Sequence, residues 1–198
     1  MALNCSDILS ADIQKDCSAK PIGGIEVNAV LIPFDNIDRA SSTYDGTNNL
    51  IISDIATLSG TSGYFVEGIK QSQGASFELV KKEDSFDAFK HSFAGVVLTP
   101  SADNKKSLSE VASGSKYVVV VEKKWKGGTT ETEAFEVLGW EAGLEIQEMN
   151  WNTKESDGII KFVLANADGF EEPQMTRNFL DTDYATSKTV FNNKFATA

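Results

Sequence analysis

The run Tyr117 to Trp125 (YVVVVEKKW) constrains the fold most. A tyrosine followed by four consecutive valines is apolar at both parities, so a strand here needs cover on both faces. It reads as a central strand. Ile25 to Pro33 (IEVNAVLIP) reads as a second strand, with Pro33 closing its far end. Tyr64 to Lys70 and Ala75 to Lys82 read as two strands of a hairpin, joined by a short Gln/Ser/Gly turn. In the latter, Phe77 and Leu79 share one face and Ser76 and Glu78 the other. Leu50 to Leu58 fits either a strand or a helix, and Val96 to Thr99 reads as a short strand.

After Gly127-Gly128, the strand Glu131 to Leu138 has Phe135 and Val137 at one parity but Leu138 and Trp140 at the other. That slip, beside Gly139, predicts a bulge or bend. Glu141 to Trp151 then reads as a continuing strand, with Ala142, Leu144 and Ile146 inward and Glu141, Glu145 and Gln147 outward. Asp157-Gly158 turns the chain into Ile159 to Ala165.

Capping residues mark three helices. Ser6 precedes a helix over 7–18 with the stripe Leu9, Ile13 and Cys17. Ser85 precedes Phe86, Phe89 and Phe93, whose spacing predicts a short amphipathic helix ending at Gly95. Ser101 caps a helix over 102–112, with Leu108, Val111 and Ala112 apolar and Gly114 as its stop. Residues 34–49 form a long polar loop, and 170–198 lack periodicity and read as a loose C-terminal arm. The expectation is one domain over 1–198, mainly β, of eight or nine strands. They form an antiparallel β-sandwich or barrel with one or two flanking short helices.

The net charge of −11 disfavours binding to nucleic-acid phosphates and to anionic membranes. It is unevenly spread: residues 81–126 hold 6 acids and 9 bases, whereas 131–172 hold 11 acids and 2 bases. Patches of both signs suit pairing between copies of the chain. The opening residues have no basic segment before an apolar core, and no run approaches a membrane span, so a soluble protein made in the cytoplasm is expected. Cys5 and Cys17 form no CxxC pair and read as two reduced thiols, with no spacing rule for a disulfide between them.

No catalytic, cofactor or metal site emerges. His91 is the sole histidine, G-x-S-x-G is absent, and no phosphate-cradling glycine loop follows a strand. The acid pairs Glu131/Glu133, Glu141/Glu145 and Glu171/Glu172 read as solvated faces rather than a glycosidase pair. Asp35 to Asp45 lacks the spacing of a calcium loop. Trp125, Trp140 and Trp151 fall within or beside strands and read as core or subunit interface.

The opening MALNCSDILSADIQKDCSAKPIGGIEVNAVLIP, followed by a polar loop, resembles structural proteins of phages and prophages of Bacteroidetes. An acidic β-sandwich of this length with a long loop after its first strand is similar to the tail tube subunits of long-tailed bacteriophages. The resemblance implies a non-enzymatic virion protein that assembles into hexameric rings, stacked as a hollow tube with a continuous inner barrel. Its partners would be copies of itself and other tail proteins, with DNA as cargo that does not stick. An acidic face of Glu141, Glu145 and Gln147 would suit the lumen. A binding module or fimbrial surface protein would share the sandwich and remains the other reading.

Overall fold

A computed structural model describes residues 12–13, 20–154 and 158–196. Apart from residues 12–13, the helix expected over 7–18 lies outside the described residues, as do both cysteines. The strands are β1 (Ile25–Pro33), β2 (Thr43–Tyr44), β3 (Ile51–Asp54), β4 (Tyr64–Glu67), β5 (Gly74–Val80), β6 (Ala88–Val97), β7 (Tyr117–Lys123), β8 (Phe135–Leu138), β9 (Glu145–Trp151), β10 (Ile160–Ala165) and β11 (Arg177–Phe179). Two α-helices, α1 (Ala102–Val111) and α2 (Tyr184–Asn192), complete the described residues. One sheet runs β2-β3-β11-β8-β7-β1-β4 and the other β5-β6-β10-β9. The pairs are antiparallel, save the parallel β11–β3 pair. The protein is a mainly-β sandwich of two sheets and not a closed barrel.

The valine run explains the layering. Val119 and Val121 face the four-stranded sheet, where they join Leu31, Phe93, Phe162 and Leu164 in one core. Val118 and Val120 face the opposite way, into a second core with Ile32, Phe135, Phe179, Phe191 and Phe195. Both faces of β7 are therefore covered, as its sequence demands. Each fully buried valine contributes about 1.5–3 kcal/mol of transfer free energy. α1 follows its expected cap: the Ser101 hydroxyl accepts from the Asn104 N–H at 3.2 Å, and Leu108 is buried.

Four expectations fail. Tyr64 to Lys70 and Ala75 to Lys82 make no hairpin, because β4 pairs with β1 in one sheet while β5 pairs with β6 in the other. The Phe86–Phe93 helix is absent, since residues 88–97 are the long strand β6. Residues four apart share a face in a strand as well as in a helix, so the Phe89/Phe93 spacing satisfies both. Gly95 is no helix stop either: it leaves room for the Phe162 ring, which a Cβ would strike.

The segment from 170 onward is no loose arm. β11 inserts between β3 and β8, and α2 delivers Phe191, with Phe195 just beyond it, to the second core. Finally, Glu141 is not on a strand. The chain leaves β8 at Gly139 (φ 72°) and turns through 139–143, so β9 begins only at Glu145. The loop 34–49 carries a 3-10 turn (Phe34–Asn36) and β2, and Asp38 Oδ1 accepts from the Ala40 and Ser41 N–H groups.

Candidate functional site, a sheet with two open edges

The alternation of each strand in the four-stranded sheet sorts its side chains. Phe93, Phe162 and Leu164 face the core, and the register carries that face to Ala75, Phe77 and Leu79 on β5. The same register places Ile146, Met149 and Trp151 of β9 on the core side. The outer face bears Ser76 and Glu78 of β5, Lys90, Ser92 and Ala94 of β6, Lys161 and Val163 of β10, and Glu145, Glu148 and Asn150 of β9.

A register shift between Val163 and Leu164 leaves Gln147 as the extra residue of a bulge. The expected face of Glu141, Glu145 and Gln147 is thereby redrawn. Glu145 keeps its outward position, Gln147 sits in the bulge, Glu141 is in the turn, and Glu148 joins the face. Simple alternation cannot foresee this, because the bulge resets the parity midway along β9.

The turn that feeds β9 is held by a buried polar network. The Glu172 carboxylate, in a residue only 2% exposed, accepts from the N–H groups of Glu141 and Ala142, each at 2.9 Å. Asn166 accepts from the His91 N–H at 2.7 Å and donates to the Gly143 carbonyl at 2.9 Å. The Gly139 N–H donates to His91 Nδ1 at 3.2 Å. An amide N–H only donates, so Nδ1 holds a lone pair, and Nε2 carries the hydrogen donated to the Gln174 carbonyl at 3.1 Å. Burial of this neutral imidazole pushes its pKa down from 6.5 to about 4. Glu141 is bound by Arg177 at 2.6 Å. His91 is thus a structural residue.

Several of the other candidate acids are also engaged. Lys82 holds Glu171, whose carboxyl is lowered to about 2, first by that hydrogen bond and then by the Gly169 N–H. Asp38 and Asp45 accept from N–H groups of their own turns. Among the described residues no group of three or more His, Cys, Asp or Glu could hold a metal, and no helix is long and apolar enough to cross a membrane. Trp140 is buried and donates to the Tyr44 hydroxyl at 2.8 Å. Trp151, by contrast, stands exposed at the end of β9.

Among the described residues, what remains open is the pair of edges of the four-stranded sheet. The seven-stranded sheet ends in β2 and β4, of two and four residues, whereas β5 and β9 are seven residues each. On their core-facing sides, Phe77, Leu79, Met149 and Trp151 are 46%, 50%, 45% and 55% exposed. A long edge with exposed apolar side chains is a template for pairing with another chain, which the charges Glu145 and Glu148 and the bulge on β9 oppose. No protein-family model matches the chain, and no curated protein or solved structure matches it.

Proposed function

We propose that the protein is a structural subunit that self-assembles into stacked rings, the building block of a phage-type tail tube through which DNA passes. The observation that carries this reading is the four-stranded sheet with its two long edges, unpaired among the described residues and apolar on their core-facing side. Its strands alternate in direction, so β5 and β9 run oppositely. A β5 edge docking beside the β9 edge of the next copy continues the antiparallel ladder. Repetition of that head-to-tail contact closes a ring and removes every free edge of this sheet.

The outer face then lines the channel. It is built of small and polar residues around Glu78, Glu145 and Glu148, with Lys161 exposed among them and Lys90 held by Asp168 at 2.7 Å, so that acids exceed bases. An acidic lining repels phosphates and suits DNA as a cargo that does not stick. The role is non-enzymatic, in a virion, with copies of the chain and other tail proteins as partners.

The test is light scattering with negative-stain imaging across a wide concentration range. Rings or tubes are expected, and Phe77→Asp should abolish them while leaving a folded monomer. A 21.5 kDa monomer at every concentration would sink the proposal.

A further inference from the structure

Resting on the ring reading above, we infer that the seam between copies has one register, and that this register sets Glu78 of one copy against Glu148 of the next as a charge gate on assembly. The backbone fixes which groups are free. Phe89 exchanges hydrogen bonds with Glu172, and the His91 carbonyl accepts from Asn166, both on the side of β6 away from β5. Core-facing residues of β6 therefore point their N–H and C=O groups toward β10, and the outward ones toward β5. Alternation carries this across the sheet. Ala75, Phe77 and Leu79 direct their backbone groups to one free edge, and Ile146, Met149 and Trp151 direct theirs to the other.

A seam must join these two sets and keep core-facing residues on one side. The register with the fullest overlap pairs Ala75 with Trp151, Phe77 with Met149 and, across the bulge, Leu79 with Ile146. A large side chain meets a small one at the first pair, and at the others apolar side chains meet, the flexible Met149 against the Phe77 ring and Ile146 against Leu79. Within one copy the row through Ile146 returns to Ala75. At the seam it meets Leu79 of the neighbour instead, a stagger of four residues per four strands. A stagger of one residue per strand corresponds to a strand tilt of about 36°, within the range of closed barrels. The strands therefore close at an unstrained tilt.

The same register places Glu78 opposite Glu148 in a non-hydrogen-bonded pair, where Cα atoms approach to about 4.5 Å. Two lysines on the same face, Lys90 opposite Glu78 and Lys161 diagonal to Glu148, offset them only in part. Glu78 is the sole charge on β5, Glu145 and Glu148 are the only charges on β9, and among the described residues none of the three makes an ion pair. Lys90, beside Glu78, is held by Asp168. The apolar side of the seam favours association and the acidic side opposes it, so screening decides when rings close. The screening length falls from about 30 Å at 0.01 M salt to about 10 Å at 0.1 M.

Two experiments test this on the full-length chain. With Cys5 and Cys17 changed to serine, Glu78→Cys combined with Glu148→Cys should give disulfide-linked oligomers on oxidation. Within one copy the two positions are three strand spacings apart across the sheet, roughly 14 Å, and offset by four residues along it, so any disulfide joins two copies. The pair Glu78→Cys with Glu145→Cys should stay monomeric on a non-reducing gel.

In parallel, association of the natural chain should strengthen roughly fivefold between 0.01 and 0.1 M NaCl, and Glu148→Lys should remove or reverse that dependence. Equal cross-linking of the 145 pair, or an unchanged salt profile in Glu148→Lys, overturns the register while leaving ring assembly standing. Absence of association for every variant at every salt concentration overturns the ring reading and this inference with it.

Discussion

Acidification from pH 7 to pH 5 should weaken the fold by about 2 kcal/mol through one side chain, His91. In the folded protein the imidazole is buried and neutral, with its pKa lowered to about 4 against 6.5 in an exposed chain. Below pH 6.5 the unfolded chain takes up a proton that the folded one refuses, so stability falls as the pH falls. Each unit costs about 1.36 kcal/mol, which gives about 2 kcal/mol at pH 5 and about 3 kcal/mol by pH 4, where the folded form begins to titrate. The structural cause is specific: a second proton would sit on Nδ1, facing the Gly139 N–H. Glu171, lowered from 4.5 to about 2, adds its own loss of stability only as the pH falls through 4.5, so it leaves the step from pH 7 to pH 5 to His91.

His91 is the only histidine, so its imidazole resonance in an NMR titration needs no assignment. Urea unfolding followed by tryptophan fluorescence at pH 7, 6 and 5 supplies the free energy. A resonance that titrates at 6.5 or above, or a stability that is flat from pH 7 to pH 5, would refute the argument.

Three further outcomes follow from the packing. Glu122, 3% exposed at its side chain, is bonded by Lys126, Lys188 and the Tyr184 hydroxyl; burial raises its pKa, but these bonds hold it below the usual value. Glu122→Leu should cost about 3–5 kcal/mol in chemical denaturation, because it strands two lysines at the α2 interface. Phe191→Ala should cost about 3–5 kcal/mol in the same assay, a loss that a loose C-terminal arm would not show. Gly95→Ala should lower stability by about 1–3 kcal/mol, measured as a lower Tm, and Phe162→Leu in the same chain should recover part of it by withdrawing the ring.

The sequence by itself determined the features governed by near neighbours. The bounds of β1, the Ser101 cap and Gly114 stop of α1, and the two-faced burial of β7 follow from caps, prolines and apolar parity within a few residues. So does the split of β5 into Phe77 and Leu79 against Ser76 and Glu78, which defines half of the candidate site. Pairing is different, because a strand's hydrogen bonds are indifferent to sequence distance.

Only the tertiary structure decided that β4 and β5 part into different sheets and that Phe89 and Phe93 lie on a strand. It also decided that the three residues of β11 slip between β3 and β8. Glu141 and Glu148 exchange roles for the same kind of reason. One is drawn into a turn by Glu172, thirty residues away or more in sequence, and the other is turned outward by a bulge set against β10. Local propensity chooses the backbone conformation of a segment, but the partner that satisfies its free N–H and C=O groups is chosen by the whole chain's competition to bury them.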